Sequence, residues 1–181
     1  HMTMDVPTSG TYETNAAWLH LDMSGNSQVD LSFWWKEFGD ETHSGDGVYF
    51  SDDAGATFVK VQDLNGSSYS NQTWTLFELD VDALAAANGL SLSSTFVVKF
   101  QQYDNYGIGS DGFAFDEISV SAGGGGPATR ATKGYSTGFE AGSLDSFWTT
   151  AEGAEGRIEV SSANGPFAGN FHLAMDDHTD G

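Results

Sequence analysis

The chain has no cysteine, three prolines, and six lysines and arginines against 26 aspartates and glutamates. Without cysteine there is no disulfide framework, no thiolate metal site and no cysteine nucleophile. The formal charge is −20, and two of the six cations, Arg130 and Lys133, stand in a segment of linker composition. A surface so poor in cations repels nucleic acid and anionic membranes. No apolar run is long enough to span a bilayer, and no segment reads as a signal peptide. Gly-x-Ser-x-Gly, His-Glu-x-x-His and phosphate-loop patterns are missing, and His1, His20, His43, His172 and His178 show no metal-site spacing. These gaps exclude the common hydrolase and nucleotide-binding classes. Clustered carboxylates repel one another unless cations neutralise them, and Ca²⁺ prefers oxygen ligands. A bound Ca²⁺ is therefore expected.

What remains is 181 residues, 39% hydrophobic and 13% aromatic, enough for one well-cored domain. Val29–Phe38 is β-rich, with Leu31, Phe33 and Trp35 on one face and Trp34 on the other. Asp46–Ser51 and Thr57–Val61 read as a hairpin. Trp74–Leu79, Thr95–Gln101 and Gly112–Val120 continue the strand pattern. One short helix is expected at Asp82–Asn88, capped by Asp82 and ended by Gly89. Residues 123–133 form a Gly-rich linker by composition. Residues 1–122 then make the main part of the domain, and 134–181 carry three more strands: Tyr135–Glu140, Arg157–Ser161 and Phe171–Met175. The downstream piece is too small for a core of its own, so it should pack onto the larger one. Short strands, Gly-rich turns and minimal helix predict an all-β antiparallel sandwich, most readily a jelly roll.

The two ends share a pattern. His1–Gly10 aligns with His172–Gly181 at five of ten positions, His, Met, Asp, Thr and Gly. The pattern suggests a tandem array cut inside a domain, so that one domain is present in permuted order. Residues 134–181 would begin the next repeat and complete the same sandwich. Met2–Val6 and His172–Asp177 would then suit one slot, a route to domain-swapped self-association.

Read from Gly134 and wrapped through Met2 to Val120, the motifs resemble a MAM domain. Gly138-Phe139-Glu140-Ala141-Gly142 resembles that family's first strand, and Phe147-Trp148-Thr149 the segment that follows. Gly169–Asp176 resembles its Gly-His-Tyr strand, and Leu31-Ser32-Phe33-Trp34-Trp35 its Leu-Ser-Phe-Trp-Tyr strand. Asp111–Ser119 resembles the closing strand. The usual cysteines of the family are missing, which points to a divergent bacterial-type module. The resemblance implies an extracellular, non-catalytic β-sandwich of a surface or secreted protein. It also implies a structural cation at Glu140 and Asp116, with Asp145 as a helper. Separately, Ser51-Asp52-Asp53-Ala54-Gly55-Ala56-Thr57-Phe58 is similar to the Asp-box hairpin of sialidases and reelin-like repeats, with Ser51, Asp53, Gly55 and Thr57 as its structural positions.

A second acidic group, Asp40, Glu41 and Asp104, would converge on a cation or a sugar if Phe33–Phe38 and Val97–Tyr103 ran side by side. Tyr69, Tyr103, Tyr106 and Trp148 are candidates to stack on a sugar, whereas Trp34, Trp35 and Trp74 are expected in the core. Glu78-Leu79-Asp80-Val81-Asp82 resembles the Glu-x-Asp-x-Glu strand of some jelly-roll glycosidases. Its last position is Asp and stands where a helix cap is expected, so no catalysis is expected there. The leading expectation is a non-catalytic, calcium-binding adhesion or spacer module with a glycan or protein surface ligand. The alternative is a carbohydrate-binding module attached to a secreted enzyme.

Overall fold

The computed structural model describes residues 13–39, 42–104, 112–121, 134–151, 156–162 and 165–177. Among these residues eleven strands and one α-helix run in the order β1 (Glu13–Leu21), β2 (Asp30–Glu37), β3 (Gly47–Ser51), β4 (Val59–Asp63), β5 (Thr75–Asp80), α1 (Val81–Ala87), β6 (Phe96–Asp104), β7 (Phe113–Ser121), β8 (Tyr135–Thr137), β9 (Trp148–Ala151), β10 (Gly156–Ser161) and β11 (His172–Asp177). They form two packed antiparallel sheets, the all-β sandwich with one short helix read from the residue pattern. The first sheet has the order β4-β3-β6-β1-β9 and the second β10-β11-β7-β2-β5, with β8 also on β7.

Period-2 alternation decides which side chains meet between the sheets. Leu31, Phe33 and Trp35 of β2 and Phe96, Val98 and Phe100 of β6 are fully buried. Phe33 joins the two sheets, stacked on Phe77 at 5.2 Å and edge-on to Phe100 at 5.3 Å. The strands β2 and β6 therefore face each other across the core and are not neighbours in one sheet. The side-by-side arrangement that was the condition for Asp40, Glu41 and Asp104 to converge is not the one adopted. Asp40 and Glu41 lie outside the described residues, and Asp104 is described only as the β6 residue opposite Glu13.

Strands from residues 134–177 enter both sheets. Tyr135–Thr137 pairs with Ile118–Val120 of β7, Trp148–Ala151 with β1, and Leu173–Ala174 with β7. Phe139, Trp148 and Leu173 are all core residues. The second copy of the repeated decapeptide thus supplies β11, and the first copy lies outside the described residues.

The helix cap falls two residues earlier than expected. Asp80, not Asp82, is its N-cap, its carboxylate accepting the Ala83 N–H at 2.9 Å. Asp82 instead accepts the Val29 N–H at 2.6 Å and ties the helix start to β2. Leu90 N–H donates to Ala85 O and Gly89 N–H to Ala86 O, the crossed pair of bonds that stops a helix.

The β3–β4 turn has the bonding expected of an Asp-box. Asp53 Oδ1 accepts from Ser51 Oγ and from Thr57 N, and Asp53 Oδ2 accepts from Thr57 Oγ1 at 2.7 Å. These bonds pull the Asp53 carboxyl down to a pKa of about 2, the Ser51 hydroxyl contributing most. Gly55 holds φ +92° beneath Trp18, and a Cβ there would lie 2.8 Å from the Trp18 ring. The turn is thereby pressed onto the outer face of the first sheet, where Phe58 meets Trp18 edge-on at 4.9 Å.

Candidate functional site

The strands β5, β2 and β7 lie side by side, and their outward residues form rows. Leu76, Trp34 and Asp116 make one row, Glu78, Ser32 and Ser119 the next, and Asp80, Asp30 and Ser121 the third. Asp116 owes its place to a bulge. Between Ser32 and Trp34 the register on β7 moves from Ser119 to Asp116, one residue more than alternation allows, with Glu117 at φ +48°. The extra residue reverses the parity of β7 and turns Asp116 away from the core.

Half of this outer face is covered by residues 165–171. Two carboxylates hold that loop by its backbone. Asp116 Oδ2 accepts the N–H groups of Phe167 at 2.8 Å and Ala168 at 3.3 Å, while Oδ1 accepts that of Glu117. Glu140 accepts from Asn170 N at 3.0 Å and Phe171 N at 3.1 Å. Gly169, between the two anchor points, has φ +66°, and a Cβ there would collide with the Glu140 carboxylate. Phe167 lies flat on Trp34, ring centres 4.0 Å apart at 17°. Beneath the loop, Lys36 places its ammonium 4.5 Å from the Trp74 ring and donates to Gly165 O at 3.3 Å.

Burial shapes the charges here. Asp116 is fully buried, and desolvation raises its pKa to about 6 despite three N–H donors. Burial lowers Lys36, an effect opposed by the nearby Asp116. Glu140 is exposed, and the N–H groups of Asn170 and then Phe171 lower its pKa.

The expected Glu140–Asp116 pair is thus brought to one loop, each carboxylate accepting backbone N–H groups from it. Their hydrogen-bond donors are the N–H groups of Glu117, Phe167 and Ala168 for Asp116 and of Asn170 and Phe171 for Glu140. Among the described residues no group of three or more histidine or acidic side chains is arranged to hold a metal. Asp145, the expected helper, accepts from Tyr135 Oη and Phe147 N. A Glu140→Gln variant is therefore expected to melt several degrees lower, and by the same amount in EDTA as in millimolar calcium. A loss seen only with calcium present would place a cation at this pair.

The aromatic candidates separate clearly. Trp148 is a core residue, 6% exposed, stacked near Phe100 at 6.1 Å and donating Nε1–H to Tyr135 Oη at 2.7 Å. It cannot stack on a ligand. Tyr103 is half-buried, edge-on to His43, and its N–H donates to the buried Asp46 carboxylate at 2.8 Å. Tyr106 lies outside the described residues. Trp35 is in the core as expected, but Trp34 and Trp74 are half-buried outside it, around Phe167.

Two hollows flank these elements. One of about 330 Å³ opens between the loop at Thr42–Asp46 and the β4 end at Lys60–Asn65. There Lys60 pairs with Asp63 at 2.5 Å and donates to Ser44 O at 2.9 Å. The other, of about 370 Å³, is lined by Ser27, Gln28, Asp30, Asp80 and Asp82 at the far end of the outer face. Asp80 and Asp82 spend their carboxylates on the helix start, so Glu78, Asp80 and Asp82 do not form one free row.

Of the three lysines described, two are inside. Lys36 and Lys99 are 5% and 9% exposed. Lys99 sits 4.2 Å from the Tyr49 ring and 4.3 Å from Phe58, and burial lowers its pKa. Among the described lysines this leaves Lys60 as the partly exposed one. No helix among the described residues is long and apolar enough to cross a membrane.

Comparison with known proteins returns no family model, no curated protein and no solved structure that matches this chain.

Proposed function

We propose that this protein is a non-catalytic adhesion module of a surface or secreted protein, and that it meets its partner on the outer face of the second sheet. One observation carries the reading. Phe167 and Leu76 stand 40% and 43% exposed beside an open strip of hydroxyls and carboxylates, on a rigid sheet. A scaffold of paired strands that presents such a face is suited to holding a surface ligand. The carboxylates that resembled a glycosidase strand support the same view, since Asp80 and Asp82 serve the helix start.

Beads carrying the domain are expected to adhere to films of extracellular polymer and to release no sugar, ester or peptide product. Leu76→Arg, an exposed change at an edge strand, should remove most of the adhesion while leaving the melting temperature within about a degree or two. Turnover abolished by Glu78→Gln would overturn the non-catalytic reading. Adhesion indifferent to Leu76→Arg would move the binding face elsewhere.

A further inference from the structure

Resting on that reading, we propose that the open half of the outer face binds a neutral polysaccharide strand, with a sugar ring on Phe167 and Leu76 and hydroxyls bonded to Glu78, Ser32 and Ser119. The apolar end is a prepared plane. Phe167 is held flat by Trp34 below it, and its backbone by the buried Asp116 carboxylate. An immobilised ring loses little freedom on binding, and its face offers the C–H side of a pyranose a dispersion contact.

The polar end is in register with it. Ser32 lies opposite Glu78 and opposite Ser119, one row from Trp34 opposite Leu76. Successive rows on a strand are about 7 Å apart and neighbouring strands about 5 Å apart. A carboxylate and two hydroxyls therefore stand within one sugar's reach of the apolar plane. Glu78 accepts from sugar hydroxyls, and the serines both donate and accept.

Charge selects among polymers. Asp30, Glu78 and Asp80 have no ion-pair partner among the described residues, and the nearest lysine, Lys36, is covered by the loop. An anionic glycan, nucleic acid or lipid surface would meet uncompensated carboxylates. Among the described residues of this face, the exposed large apolar side chains are Phe167 and Leu76. Their area is too small for the roughly 1,200–2,000 Å² that stable protein interfaces bury, but it matches one or two sugar rings.

Native gels containing hydroxyethylcellulose, arabinoxylan, galactomannan or polygalacturonate test the assignment. At least one neutral polymer is expected to retard the protein, and polygalacturonate none. Glu78→Gln and Leu76→Ala should each weaken the retarding interaction about tenfold with an unchanged melt, and Phe167→Ala should do so more strongly. Asn65→Ala, in the hollow between the Thr42–Asp46 loop and β4, should change nothing. Retardation that survives both Glu78→Gln and Leu76→Ala, or equal retardation by polygalacturonate, overturns the site. If no neutral polymer retards the protein, the glycan assignment falls. The adhesion reading then stands or falls separately, by whether bead adhesion survives periodate oxidation of the film's sugars.

Discussion

A chain ending at Ser121 is expected to lose cooperative folding and to aggregate. Residues 134–177 contribute strands to both sheets, so their loss leaves open edges on both. Removing β9 uncovers one side of β1, and removing β8 and β11 uncovers one side of β7. Both are nine-residue strands. Long unpaired edges of that kind are templates for intermolecular pairing. The core loses Phe139, Trp148 and Leu173 as well, each at most 6% exposed. Burying a large apolar side chain contributes about 1.5–3 kcal/mol, so three amount to roughly 5–9 kcal/mol, comparable to the stability of an ordinary domain. Size-exclusion chromatography and a circular-dichroism melt of the truncated chain check this. A monomer with an unchanged cooperative transition would show that the two pieces are independent.

The second large effect concerns pH. Asp116 is held at about 6, above the ordinary 3.8, chiefly by burial. A folded-state pKa above the unfolded one means that the native protein holds the proton more tightly. The associated stability is complete below about 3.8 and is lost as pH rises through about 6. A shift of about two units corresponds to roughly 3 kcal/mol. Asp53, pulled to about 2 by the turn, acts in the opposite sense, as does the lowered Glu140. Their stability is present above the ordinary carboxylate range and is lost as pH falls below it, for Asp53 toward about 2. Self-repulsion of a −20 chain also grows away from its isoelectric point near 4.1. The melting temperature is therefore expected to peak between about pH 4 and 5 and to decline toward neutrality. Half-molar salt should recover the part due to surface repulsion but not the part due to Asp116. Asp116→Asn should flatten the remaining decline. A melting temperature that climbs from pH 5 to 7 would contradict the burial of an ionisable Asp116.

Alternation made most of the fold legible. Leu31, Phe33 and Trp35 could be assigned to one face because the side-chain period of a strand is two, and the Asp-box could be read because each of its residues has a fixed bonding task. The spacing of β7 also carried a signal that alternation alone does not interpret. Phe113 and Phe115 are followed by Ile118 and Val120, a break in parity that marks the bulge and predicts that Asp116 faces outward. Partners were harder than faces. A period says where a side chain points but not which strand lies beside it, so whether β2 and β6 ran side by side was left as a condition, and they oppose each other across the core. Trp148 was misplaced because its segment is only four residues long, too short for a pattern to show its buried side. Asp80 and Asp82 are both plausible helix caps by type, and only the pairing of Asp30 with Asp80 at the end of β5 decides between them. The loop at 165–171 left a faint trace, an aromatic residue between two glycines. Its attachment runs through backbone N–H groups, which no side-chain pattern encodes.

The placement of the lysines bears on how this protein can be handled. Amine-reactive reagents attack the deprotonated, accessible amine, and Lys36 and Lys99 are shielded by aromatic rings within the folded domain. Among the described lysines, Lys60 is the one within reach of such a reagent, at 27% side-chain exposure on the edge strand β4 of the first sheet. Coupling there to a sensor chip or a fluorophore would graft the molecule by the sheet opposite to Phe167 and Leu76. The label would stand over the smaller hollow, and a population so attached would present its second sheet outward in a common orientation.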